Sequence, residues 1–294
     1  MLFNQMPAAL RLGIGTPLRI LANIAIMLFA TQLSNATDGI AAATAALNKC
    51  GLSATSSARM TSIDHLGLVS LDDGRKMRLS GIWLASQNLT ARLPSFVGRN
   101  VIPFPAASRP DYTGATAAHF ILMPAQSTPR EENAWLQANF LSSGQAFLYV
   151  YPDRESCAAE LRRFESKARV EKKGIWSQVL REDIAKTVQE QNVAIIVGEA
   201  GNLAIESADG RYGIISGRVL STGESGRWRY LNFGDNFSRD FTVRITTRVE
   251  KRLTEQGLTI KGLIDRRVEI RGVIQSRDGP MIDVFDTAQI VIME

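Results

Sequence analysis

The sequence predicts a mainly β chain of α+β class, built as two small five-stranded barrels, the first with packed helices. Three observations predict it. Short runs of alternating hydrophobicity recur along residues 62–151 and again along residues 212–293. Asp72-Asp73-Gly74 separates two such runs, a hairpin signal because glycine readily supplies the positive φ of a tight turn. A long helical pattern, Arg154 to Lys173, closes the first set of strands. At 294 residues the chain has room for two domains, and its 45% hydrophobic content is ordinary for globular protein.

The elements follow in order. Residues 1–36 hold Arg11 and Arg19 and no acid, then the apolar run Ile20 to Ala30 and the small-residue site Ser34-Asn35-Ala36. This segment reads as a cleaved secretory signal, with an uncleaved membrane anchor as the alternative. The run is short for a bilayer span of ~20 residues. The protein is therefore expected to be exported, periplasmic or secreted, with no transmembrane domain after cleavage. Residues 37–61 are Ala-rich and are expected to form a flexible arm with one helical turn.

Residues 62–177 form the first predicted domain. Its strands are Gly67 to Leu71, Lys76 to Ile82, Thr116 to Met123 and Ala146 to Tyr151, with a loop-rich passage from Pro94 to Pro110. Glu131 to Ser143 reads as a helix with Trp135, Leu136, Phe140 and Leu141 inward, stopped by Gly144. The final helix carries Leu161, Phe164 and Ala168 as its apolar stripe, with Glu165 and Arg169 placed to pair on the solvated side. Residues 178–203 read as a linker, helical around Glu182 to Gln191. Residues 204–294 read as a second β domain, with strands at Tyr212–Leu220, Arg227–Phe233, Phe241–Ile245, Arg267–Ile274, Met281–Phe285 and Gln289–Met293. One helix, Thr247–Gln256, interrupts them.

Strand, hairpin, strands, helix, strand, helix is the order of an oligonucleotide-binding (OB) type barrel with a packed terminal helix. The segment Tyr149 to Ser177, YVYPDRESCAAELRRFESKARVEKKGIWS, and the hairpin Leu71 to Ile82 resemble thermonuclease-like (staphylococcal nuclease) domains. The resemblance covers residues 62–177. It includes Leu136, Gly144, Ala146, Leu161, Glu165, Ala168, Gly174, Ile175 and Trp176, mostly packing positions.

The resemblance implies a phosphodiesterase site, and that site is depleted. Such enzymes use carboxylates to hold Ca²⁺, a Glu to organise the water and two arginines to neutralise the charge that develops at phosphorus. The metal acids of the first turn align with His65-Leu66-Gly67-Leu68. The next metal-binding Asp is Trp83, the catalytic Glu is Ser86, and the second arginine is Ala115. Only Arg78 keeps a catalytic identity, and Tyr149 and Tyr151 match aromatic residues of the family's nucleotide pocket. The expectation is a pseudo-nuclease with no cofactor. The alternative is a Ca²⁺-dependent phosphodiesterase cutting DNA or RNA with displaced acids such as Asp64 or Asp111.

Charge adds little. The chain carries +5, and removing the two arginines of residues 1–36 leaves +3, too weak to argue nucleic-acid binding by itself. Cys50 and Cys157 are the only cysteines, an even count that suggests a disulfide in an exported chain. The two histidines, His65 and His119, have no metal-ligand spacing, and no metal site is expected. In the second unit Arg227, Arg229 and Arg239 are interleaved with Trp228, Tyr230 and Phe241. Alternation splits arginines from aromatics, so either a strand face for single-stranded nucleic acid or an aromatic core under a basic surface follows. The expected function is a binding module for nucleic acid, or for a protein or polymer of the cell envelope.

Overall fold

The computed structural model describes residues 38–85, 92–124, 133–151, 156–179, 195–202, 209–236 and 239–293. The expected signal segment 1–36 lies outside them, as do Ser86 and the helix expected around 182–191. Among the described residues the chain is mainly β with helices, as its class predicts, and contains one closed five-stranded barrel. No described helix is long and apolar enough to cross a membrane.

The barrel uses β1 (Ala58–Ile63), β2 (Leu68–Leu71), β3 (Lys76–Leu79), β5 (Asn100–Pro105) and β6 (Thr116–Leu122). Its order is β1-β2-β3-β6-β5, and β5 returns to β1 through Ala58 opposite Val101. Two further strands, β4 (Ile82–Leu84) and β7 (Ala146–Leu148), pair as a separate ribbon. The expected strand Lys76 to Ile82 is thus broken in two. Gly81 makes the break with φ +76°, and a Cβ there would collide with the Ser156 carbonyl.

Residues 38–49 form a helix, α1, where a flexible arm is expected. Ala is the strongest helix former, and Ala43, Ala46 and Leu47 fall at the spacing that buries one face in the barrel core. A disulfide joins Cys50, just past α1, to Cys157, with Cα atoms 5.7 Å apart. Two more helices pack on the barrel, α2 (Leu136–Ser142) and α3 (Ala158–Val170), followed by a single turn, α4 (Trp176–Val179).

The second unit is an open sheet, in contrast to the second barrel that the sequence predicts. Its members are β8 (Ile195–Glu199), β9 (Tyr212–Arg218), β10 (Ser221–Ser225), β11 (Trp228–Asn232), β12 (Thr242–Thr246), β13 (Arg267–Ser276), β14 (Pro280–Val284) and β15 (Ile290–Met293). The order is β10-β11-β12-β14-β13-β9-β8, with β15 also on β13. β8 and β10 are absent from the sequence reading; they extend the sheet at opposite edges, so it does not close. The helix α5 (Thr247–Glu255), capped by Thr246 through the Val249 N–H, lays Val249 and Leu253 over the inner face. Leu231, Val243, Ile245, Ile270, Ile274 and Ile282 line that face.

The outer face meets the barrel along part of its width. Tyr212 and Ile214 of β9 and Ile195 of β8 share one apolar cluster with Phe147, Ala168 and Trp176. Beside it lies a buried ionic network. Arg271 of β13 donates from Nη1 and Nη2 to Glu165 of α3 at 3.0 and 2.6 Å, and from Nε and Nη2 to Glu269 Oε1 at 2.9 and 2.7 Å. Arg169 Nη1 reaches Glu269 Oε2 at 2.7 Å, and Glu165 Oε1 also accepts the Leu148 N–H at 2.7 Å. Glu165 is therefore not paired with Arg169 on a solvated surface. The second unit covers α3 there, and each residue finds its partner across the junction.

Burial pushes the Glu269 carboxyl up, but the charges of Arg271 and Arg169 outweigh it and hold it at about 2. The ordinary value is 4.5. Because the folded value is depressed, the stabilisation is complete above the unfolded value and is lost as pH falls toward 2. Melting temperatures measured between pH 7 and pH 2 are expected to hold until the carboxylate range and then drop. Glu269→Gln removes this part of the drop; an unchanged acid profile in that variant contradicts the assignment.

Candidate functional site

Arg78 projects from β3, beside the turn at His65 to Leu68. Its guanidinium uses each of its three nitrogens in a bond within the protein. Nε donates to Asp111 Oδ2 at 3.0 Å, Nη2 to Thr113 Oγ1 at 3.2 Å and Nη1 to the Leu66 carbonyl at 3.3 Å. Asp111 opens the turn that leads into β6, and its Oδ1 accepts the Thr113 and Ala115 N–H groups and the Thr113 hydroxyl. Burial pushes the Asp111 carboxyl up, yet the Thr113 hydroxyl and the Arg78 guanidinium hold it well below the usual carboxylate range. Asp64, the other candidate displaced acid, accepts the Leu66 and Leu68 N–H groups and so shapes its own turn. Asp72 and Asp73 stay at the hairpin tip, where they bond Arg59 and Arg75.

Ca²⁺ requires several oxygen ligands around one point. Among the described residues no three His, Cys, Asp or Glu side chains converge to hold a metal ion. Asp64 and Asp111, the candidate displaced acids, are each held by local bonds away from any such point.

What converges instead is a row of rings. The chain leaves β7 extended, so Tyr149 and Tyr151 point the same way, with ring centroids 4.4 Å apart. Trp83 of β4 lies 5.5 Å from Tyr149 and is 40% exposed, and Tyr212 of β9 stacks on Tyr149 at 4.5 Å. Burial pushes the Tyr149 hydroxyl up. The sequence reading finds Tyr149 and Tyr151 but treats Trp83 only as a lost acid. Tyr212 lies 63 residues beyond Tyr149, and no local pattern joins them.

The outer face of the second sheet carries the other candidate surface. Register places Trp228, Tyr230 and Asn232 of β11 on the same face as Thr242 and Arg244 of β12 and Asp283 of β14. Arg244 binds Asp283 through both arms of its fork, at 2.7 and 2.6 Å, and lies 4.1 Å over the Trp228 ring. Trp228 and Tyr230 are half-buried on this outer face, whereas Phe241 is buried in the core. The expected aromatic core is corrected for those two rings: α5 covers the opposite face, the one that Leu231 enters. The chain matches no protein-family model and no curated protein.

The three arginines singled out in this unit do not share a surface. Arg227 sits in the β10–β11 turn with its guanidinium 5.1 Å over the Trp228 ring. Arg229 lies on the α5 side and donates to Glu250 at 3.1 Å. Arg239 is exposed in the loop before β12. Arg244 and Arg277 join Arg227 on the outer face, and sequence reasoning missed both. Arg244 stands alone between hydrophobic neighbours in Thr-Val-Arg-Ile-Thr, where alternation marks it as outward but nothing marks its partner.

Proposed function

We propose that the chain is an exported binding protein whose first unit is a thermonuclease-like barrel of OB type that no longer hydrolyses phosphodiesters. The observation that carries this reading is the internal pairing of Arg78. A guanidinium that gives its donors to Asp111, Thr113 and Leu66 has lost the freedom to stabilise charge at a phosphate. The Cys50–Cys157 disulfide supports an oxidising compartment.

The ligand of the barrel is single-stranded nucleic acid held by stacking. Trp83, which stands at an acid position of the resembled family, extends the ring row of Tyr149 and Tyr151 toward solvent, and base–aromatic stacking is worth ~1–3 kcal/mol per base. Titrating the protein with fluorescein-labelled decathymidylate should give saturable binding without cleavage in the presence of Ca²⁺. Trp83→Ala should weaken that binding about tenfold, the equivalent of ~1.4 kcal/mol. Ca²⁺-dependent cleavage that disappears in Arg78→Ala would instead establish a phosphodiesterase.

A further inference from the structure

We propose that the cleft on the open half of the second sheet binds a neutral, hydroxyl-rich ligand, a segment of glycan. Among the described residues the barrel covers the β8–β9–β13 side of the outer face and leaves the β10–β11–β12–β14 side open. There an open cleft offers about 490 Å³, with Tyr230, Asn232, Thr242 and Arg244 on its floor and the β13–β14 turn at Arg277 and Asp278 on its flank. That volume lies within the ~300–1,000 Å³ of small-ligand sites.

Charge gives an anionic ligand little to bind. Arg244 is answered by Asp283 in a bidentate pair, and Asp278 follows Arg277 in the cleft wall, while Glu224 turns to the other face with Arg229. The two guanidiniums are therefore matched by two carboxylates. A phosphate entering the cleft would meet one guanidinium already neutralised and another with an acid next to it in the chain. A nucleobase fares no better at Trp228, because Arg244 and Arg227 lie over that ring.

The polar groups left over suit alcohols. Asp283 takes Nε and Nη2 of Arg244, which leaves Nη1 as a donor next to carboxylate oxygens that accept. Among the described residues the Tyr230 hydroxyl and the side chains of Arg277 and Asp278 have no hydrogen-bond partner. Donors and acceptors thus alternate over a short distance. A vicinal diol, whose hydroxyls both donate and accept, satisfies such a set, whereas an apolar ligand would leave it unpaired.

An aromatic surface completes the site. Gly223 of β10 stands directly opposite Tyr230, so no side chain covers that ring from the neighbouring strand. A Cβ at position 223 would come to 3.8 Å from Tyr230 Cβ, an ordinary contact. The glycine therefore keeps the ring open without being required by the backbone, and Tyr230 offers a flat apolar patch for the C–H face of a sugar ring.

The test is calorimetric titration of the full chain with maltotetraose, cellotetraose and tetra-N-acetylchitotetraose, and with decathymidylate as the anionic comparison. At least one tetrasaccharide should bind. Tyr230→Ala should weaken that binding about tenfold or more. Gly223→Leu, which closes the cleft while leaving the polar floor intact, should do the same, with circular dichroism and melting temperature unchanged in each variant. The proposal is overturned if no tetrasaccharide binds or if binding survives both substitutions. It is equally overturned if decathymidylate is the ligand that Tyr230→Ala weakens, which would make the cleft a nucleic-acid site. The cleft and the Trp83 ring row are separate surfaces, so either reading can fail without the other.

Discussion

Replacing Arg271 with alanine is expected to destabilise the protein by ~3–5 kcal/mol, because it strands two buried carboxylates. Arg271 is 1% exposed and Glu165 is 0% exposed, and both Glu165 and Glu269 depend on the same guanidinium. Removing the cation leaves Glu165 with the Leu148 N–H as its remaining partner, and Glu269 with Arg169 and a more distant Arg162. The measurement is urea unfolding followed by tryptophan fluorescence. A loss below about 1 kcal/mol, the range of exposed pairs, would mean that the junction is wet and that the network contributes little. The double variant Glu165→Gln with Arg271→Met tests the cause. It removes one buried charge of each sign and keeps an acceptor for Leu148, so it should recover part of what Arg271→Ala alone loses.

The disulfide gives the second large effect. Cys50 and Cys157 are separated by 107 residues, and closing a loop of about 100 residues is worth ~4.7 kcal/mol in the chain-entropy treatment. Cys157→Ser is expected to lower stability by ~2–5 kcal/mol, measured against the oxidised protein, with adding a reductant producing the same shift in the parent. The loss should appear first as release of α1. That helix sits at the N-terminal end of the described chain and is tied by Ala43, Ala46, Leu47 and the bridge. If the reduced protein melts with the oxidised one, apolar packing alone holds the helix.

Local patterns made part of this structure legible. Alternation located Thr116–Leu122, Tyr212–Arg218 and Arg267–Ser276, and the count of two cysteines suggested the disulfide. Strands that break the compositional rules were missed. Asn100–Pro105 contains Pro103 and Pro105, tolerated because β1 pairs only with its first two residues and the prolines lie beyond that ladder. Ser221–Ser225 is polar with a central glycine, the opposite of a typical strand, and is held as an edge by its pairing with β11. The first helix is read only as one turn in an Ala-rich arm, although alanine favours helix and packing against the core extends it.

Long-range placement explains the other misreadings. Alternation across Trp228 to Asn232 separates two faces but cannot say which one α5 will cover, so it cannot choose between an open aromatic face and an aromatic core. Glu165 and Arg271 are 106 residues apart, so nothing near Glu165 marks it as a buried ion rather than a helix-surface partner of Arg169. At the candidate site, the identity of Arg78 was visible while its neutralisation by Asp111, 33 residues on, was not.

Strand β13 runs without interruption from the junction to the open cleft. Arg271 is held by Glu165 at one point along it, and Gln275 lies 3.5 Å from Asp283, the cleft's carboxylate, four residues further on. An extended strand advances ~3.3 Å per residue, so the two points are separated by ~13 Å of one stiff rod. The rod works as a ruler. It fixes the spacing between the barrel junction and the sheet's cleft, so two different ligands, one on each unit, would be carried at a set distance on one body.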